Sequence, residues 1–115
     1  MSHTRDKGDR GQALALAHLA RSGYRLVAAN VVLPFGEIDL IVEHADVRAY
    51  VEVKAGRDDP DFPPSVHFDR KKAERYRRLV GAHLEAHPTL LDVRVDLIAV
   101  SLDTGRIEHY EDVLG

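Results

Sequence analysis

The sequence predicts an α/β fold with elements in the order α-β-β-β-α-β and a short further strand at the end. Three observations carry this. An Ala-rich segment with helical spacing occupies residues 8–22. Two alternating apolar runs, 37–43 and 48–54, follow each other across a short polar gap. A second helical segment, 70–87, separates them from a β-branched run at 92–101.

Taken in order, GDRGQALALAHLARS (8–22) presents Leu14, Leu16, Ala17 and Leu19 as a broad apolar face, and Gly23 stands where a helix stops. YRLVAANVV (24–32) is a strand with an interruption expected near Asn30, and Pro34 and Gly36 punctuate the chain before the next one. In 37–43, Ile38, Leu40 and Val42 share one face while Glu37, Asp39 and Ile41 share the other. In 48–54, Ala49, Val51 and Val53 lie opposite Tyr50, Glu52 and Lys54. A two-residue loop of Ala45 and Asp46 pairs His44 with Val47. Counting back, Asp39 falls opposite Glu52 and Glu37 opposite Lys54, with opposed Cβ atoms ~5 Å apart. Residues 56–66 hold three prolines and three aspartates and form a loop. Asp69 caps the helix at 70–87, whose Ala73, Tyr76, Val80 and Leu84 follow helical spacing until Pro88 ends it. Residues 92–101 are a strand, and 106–110 a last one after the turn at 103–105.

A chain of 115 residues suits one domain with an ordinary core. Cysteine is absent, which excludes disulfides, a thiol nucleophile and a Cys-based zinc site. The first residues are polar, and no apolar run approaches the ~18 residues of a membrane span, so the expectation is a soluble, cytoplasmic protein. The net charge of −3 excludes a general nucleic-acid coat protein, yet charge is segregated along the chain. RKKAERYRR (70–78) holds six Lys/Arg and one Glu, whereas RDDPD (57–61) is acidic.

Two carboxylates facing each other across a hairpin repel unless a cation lies between them. Mg²⁺ typically takes one or two carboxylates plus phosphate and water. Lys54, on the face of Glu52, could orient a water or stabilise charge developing at a phosphate. An acidic pair with a lysine on adjacent strands therefore suits metal-assisted phosphodiester hydrolysis. The same residues also suit the wet face of a hairpin carrying an ordinary ion pair. Glu37 fits two roles, a supporting carboxylate or the partner of Lys54. Arg70, Lys71, Arg75, Arg77 and Arg78 lie off the apolar line of their helix, as phosphate contacts or as a solvated face. His83 and His87 have the i, i+4 spacing of a zinc pair, but HLEAH is not HExxH. Asp96 is expected to be structural, paired with Arg94 or Arg25.

GEID (36–39), twelve intervening residues, then EVK (52–54) resembles the PD-(D/E)XK nuclease signature. The wider pattern is G-x-x-G at 8–11, GY at 23–24, Asn30, GEIDLI at 36–41, VEVK at 51–54, the basic helix and RVDLI at 94–98. It resembles the YraN family of bacterial endonuclease-like proteins, similar in layout to archaeal Holliday junction resolvases. The resemblance implies a restriction-endonuclease-like core, a mixed β-sheet flanked by helices. It implies Asp39, Glu52 and Lys54 as the catalytic set, with Asp39 and Glu52 on Mg²⁺ or Mn²⁺. It also implies Lys71 or Lys72 turned toward the site and DNA as the partner, and a homodimer is expected because junction-cleaving relatives work as pairs and the chain is small; the helix itself offers Arg70, Lys71, Lys72, Arg75 and Arg78 as phosphate contacts. Gln12 stands where the family usually has a supporting Glu, and can still offer a carbonyl oxygen. Val32 replaces a common basic residue, and Ala55-Gly56 a usual Thr-Arg. These departures motivate a rival reading, a nucleic-acid-binding module without catalysis. The net negative charge and acidic loop motivate another, a protein-interaction module.

Overall fold

The computed structural model describes residues 3–57 and 68–115. Helix α1 spans His3–Arg21, followed by strands β1 (Arg25–Leu33), β2 (Gly36–His44) and β3 (Val47–Gly56). Helix α2 (Arg70–Ala86), β4 (Asp92–Ser101) and β5 (Ile107–Tyr110) complete the chain. The strands form one sheet in the order β1-β2-β3-β4-β5. β3 and β4 are parallel and every other pair is antiparallel, so the sheet is mixed. This is the order and layout expected from the sequence. The acidic stretch at 58–61 and most of the proline-rich loop lie outside the described residues.

The two helices cover opposite faces. Ala15 and Leu19 of α1 pack on Leu40, Val42, Ala49, Val51, Ile98 and Val100. Tyr76, Leu79 and Val80 of α2 pack on Ile38, Ile41, Tyr50 and Val95. With both faces covered, the strands read as near-continuous apolar runs, and charge among them has to be explained.

The contact face of α1 differs from the expected one. Leu14 is 37% exposed and Ala17 is exposed, while Gly11, Ala15 and Leu19 are buried at intervals of four. The reason is close approach. A Cβ placed on Gly11 would lie 2.4 Å from Ala55 Cβ and 3.8 Å from Val53 Cγ1. The helix therefore seats its smallest residues on β3 and leaves a large one at the rim. On α2 the buried residues are Tyr76, Leu79, Val80 and His83. Asp69 caps this helix as expected, its Oδ1 accepting from Lys72 N at 2.9 Å.

The hairpin register begins as predicted, from His44–Val47 through Leu40–Val51. It then stops short of Asp39, where the face alternation also fails. Leu40 and Val42 face α1 and Ile41 faces α2, so strict alternation sends Ile38 toward α1. Ile38 lies instead in the α2 cluster. The expected grouping of Ile38 with Leu40 and Val42 is therefore wrong, and Asp39 is where the strand changes face. The neighbouring strand keeps its register at this level but has an irregular backbone. Asn30 falls between the pairs Ala29–Leu40 and Val31–Ile38 and has φ +53°, a left-handed conformation that Asn tolerates better than most residues.

Gly11→Ala is expected to destabilise the fold by about 1–3 kcal/mol, although Ala is the better helix former, because the added methyl has no room against Ala55. Urea denaturation beside Gly8→Ala, where nothing lies within 4 Å, checks this. Equal stability of the two variants would show that α1 can lift off β3 at little cost.

Candidate functional site

The break in β2 is closed by side chains. Asp39 Oδ2 accepts the Val53 N–H at 2.8 Å, so a carboxylate takes a position where a backbone carbonyl would continue the ladder. From α1, Gln12 Nε2 donates to Asn30 Oδ1 at 2.9 Å and to the Asp39 carbonyl at 3.0 Å. Gln12 thus ties the irregular points of both strands to the helix. Its amide carbonyl takes part in neither bond.

Glu52 follows the predicted alternation of β3 and turns toward α2. Its Oε1 accepts from the Tyr76 hydroxyl at 2.8 Å, and its Oε2 pairs with Lys72 Nζ at 2.8 Å. The Glu52 and Lys72 side chains are only 13% and 20% exposed. Asp39 lies beside Glu52, close enough for the two carboxyls to share a hydrogen bond when one is protonated. Burial is the main reason the Asp39 pKa rises. The Val53 N–H opposes the rise, and the charges of Glu52 and Glu37 add to it, leaving the carboxyl raised to about 7. Burial, then the negative charges of Glu52 and Asp39, push the Tyr76 hydroxyl far upward, so it remains a donor. Tyr76 was expected only as an apolar position on its helix. Its hydroxyl gave no signal in the sequence, because contact with Glu52 depends on how α2 lies across β3.

The other expected residues divide. Lys54 is exposed on the same side of β3 as Glu52, and no described residue pairs with it. Glu37 is exposed and acts on Asp39 through its charge; the alternative Glu37–Lys54 ion pair does not form. Arg70, Lys71, Arg75, Arg77 and Arg78 are exposed along α2. Arg75 runs beside Gly36, and the Arg78 guanidinium lies 5.0 Å from the Phe35 ring centroid, so part of this basic face borders the β1–β2 turn. Lys72 is the lysine turned inward. Val32, 75% exposed on β1, offers no charge where the resemblance led one to look for it.

A second polar group lies elsewhere. Asp96, His109 and Glu111 bring possible ligand atoms within 4.8 Å of one another. Asp96 is already saturated. It accepts from Arg94 Nε and Nη2 at 2.8 Å each, pairs with His109 Nε2 at 2.8 Å, and accepts from Asp112 N at 3.0 Å. Arg94 also lies 3.2 Å from Glu111, so a guanidinium fills the place a cation would take. Burial pushes the Asp96 carboxyl up, but the bonds from His109, Arg94 and Asp112 outweigh it and hold the group below the usual range. The expected pairing with Arg94 is present, whereas Arg25 pairs with Glu43. His83 and His87 stack with ring centroids 4.6 Å apart, and His83 Nδ1 is bonded to the Tyr50 hydroxyl at 2.8 Å. No third ligand joins them among the described residues.

The model of the uncharacterised protein family UPF0102, the YraN family, matches residues 11–100. The chain belongs to this family. A UPF0102 protein of Kosmotoga olearia is 34% identical over 108 residues, covering 93% of this chain and 91% of its own. One from Clavibacter michiganensis is 39% identical over 101 residues, covering 87% and 86%. One from Shewanella amazonensis is 35% identical over 106 residues, covering 91% and 95%. Among solved structures, SfsA of Pyrococcus furiosus in complex with Ca²⁺ aligns with 94% of this chain at 17% identity and a TM-score of 0.35; this chain spans 63% of SfsA. The match to UPF0102 includes Gln12, Asp39, Glu52, Lys54 and α2. No helix among the described residues is long and apolar enough to cross a membrane.

Two predictions follow from the contrasting carboxylates. Asp39 binds its proton more tightly folded than unfolded, so its contribution to stability is full below pH ~4 and is lost as pH rises toward 7. Asp39→Asn keeps an acceptor for Val53. It is expected to stabilise the protein by about 1–3 kcal/mol at pH 8 and hardly at all at pH 4, read by denaturant unfolding at both. Asp96→Asn removes the buried partner of the half-buried Arg94 and of His109 and is expected to cost ~3 kcal/mol at pH 7, measured the same way.

Proposed function

We propose that this UPF0102 protein is a metal-dependent nuclease acting on DNA. The observation that carries the reading is the convergence of Asp39 and Glu52 at a break in the sheet, with the Asp39 carboxyl raised to about 7 by burial and by neighbouring negative charge. A largely buried acidic pair with a single lysine ammonium against it fits a hard divalent cation, and a carboxylate perturbed by burial and like charge is a candidate functional group. Asp39 and Glu52 would hold Mg²⁺ or Mn²⁺, with Glu37 and the Gln12 carbonyl in support. The bound ion would supply Lewis acidity at a phosphate oxygen and acidify a water.

The chain's own residues account for the rest. The Val53 N–H fixes the Asp39 carboxylate in the plane of the sheet, and Tyr76 fixes Glu52. Lys54, exposed on the side of Glu52, is placed to hold a water or to meet negative charge growing on a phosphate. Arg70, Lys71, Arg75 and Arg78 would contact phosphates, which positions a strand without reading its sequence. A binding module without catalysis is the second reading, favoured by Lys72, which already neutralises Glu52.

Cleavage of labelled linear, nicked, flapped and four-way DNAs with Mg²⁺ or Mn²⁺ tests this. Wild type is expected to cut at least one substrate, and Asp39→Asn and Glu52→Gln to lose 10²-fold or more, the scale of a lost charge-stabilising group. Cleavage that survives both substitutions would overturn the assignment. Absence of cleavage with salt-sensitive binding unchanged by them would leave the binding module.

A further inference from the structure

We infer that Lys72 is a transferable counter-ion: it neutralises Glu52 in the free protein and moves to a substrate phosphate when a divalent cation binds, which makes metal and phosphate binding favour each other. This rests on the reading of Asp39 and Glu52 as metal ligands.

Three features of the structure point to it. First, the two contacts to Glu52 differ in kind. Tyr76 is 1% exposed in the core and donates to Oε1, so the carboxylate keeps its orientation without help from Lys72. Lys72 reaches Oε2 from a flexible four-carbon stem, while its backbone N–H is held by the cap Asp69. The ammonium can therefore leave while both the helix and Glu52 stay in place. Second, a divalent cation on Glu52 meets that ammonium at ion-pair range, where like charges repel. Third, a destination is at hand. The first turn of α2 carries Arg70, Lys71 and Lys72 and no acidic residue. Cations there oppose the helix dipole, which favours negative charge at this end. The Asp69 cap offsets part of this cost, and a phosphate lying against the turn would offset more.

The consequence has a definite sign. Removing a lysine beside the acidic pair should tighten metal binding rather than weaken it, and should weaken the coupling between metal and nucleic acid. Linkage requires that coupling to be reciprocal.

The test uses the full chain at pH 8 and follows free Mn²⁺ by electron paramagnetic resonance. Titrations are made alone and with a 12-mer duplex whose phosphorothioate linkages resist cleavage. Lys72→Met is expected to bind Mn²⁺ roughly tenfold tighter than wild type in the absence of DNA. The duplex is expected to tighten Mn²⁺ binding several-fold in wild type and by a smaller factor in Lys72→Met. Lys72→Arg, which keeps the charge, is expected to behave as wild type, and circular dichroism confirms that each variant is folded. Equal or weaker Mn²⁺ binding by Lys72→Met, or equal tightening by DNA in both proteins, would overturn the role of Lys72 and leave the metal site standing. Failure of folded wild type and Lys72→Met alike to bind Mn²⁺ would overturn both.

Discussion

The hydrogen bond from the Val53 N–H to the Asp39 carboxylate is the interaction on which the site depends. A backbone N–H on the central strand of a covered sheet needs an acceptor, and leaving it unmet costs about 1–3 kcal/mol. Here the acceptor is a side chain. Because the carboxylate does the work of a carbonyl, β2 can change face at Asp39 before it joins the β3 ladder at Leu40, and Ile38 can turn to the α2 side. The gap that results holds Asp39 at the level of Glu52. Gln12 and Asn30 stabilise the same discontinuity from α1 and β1. A strand that stayed regular would carry Asp39 as one more charge on a packed face, at a cost the core does not offset.

Asp39, half-buried, and Asp96, fully buried, are in opposite circumstances. Asp96 has a guanidinium, an imidazole and a backbone N–H around it, and is held ionised. It joins β4 to β5 and, through Arg94 and Tyr24, to the chain entering β1. Asp39 has one backbone donor and two neighbouring carboxylates, and is pushed toward its neutral form. Burial acts the same way on both. What separates them is whether the fold supplies positive charge. A saturated group has nothing left to offer a ligand, whereas an under-compensated one gains by binding a cation.

Lys72 and Tyr76 make α2 part of the site rather than a cover over the sheet. One helix presents a fixed hydroxyl and a movable ammonium to a single carboxylate, and carries exposed arginines on its outer side. Its N-terminal turn concentrates charge of the sign that phosphate requires. The positions of catalysis and of nucleic-acid contact in the proposed function are thus coupled through the axis of one rigid element.

The order of elements, the mixed character of the sheet, the hairpin register from His44–Val47 onward, the Asp69 cap and the family were all legible in the sequence. The order, register and cap depend on local periodicity and turn length, whereas the mixed sheet followed from the resemblance that the motifs carry. The packed face of α1 was read only in part: Leu16 and Leu19 pack as expected, but close approach selected Gly11 and Ala15 over Leu14 and Ala17. The ladder's end at Asp39 and the hydroxyl of Tyr76 on Glu52 were equally hidden, and the choice of Lys72 over Lys71 as the inward lysine was left open. Each joins residues at least 14 apart in the chain through a contact set by how one element lies on another. Sequence alone determined which charged residues this protein carries and on which strands and helix they stand. Tertiary structure decided which of them are satisfied, because the charge a buried carboxylate still lacks is a property of its neighbours in space.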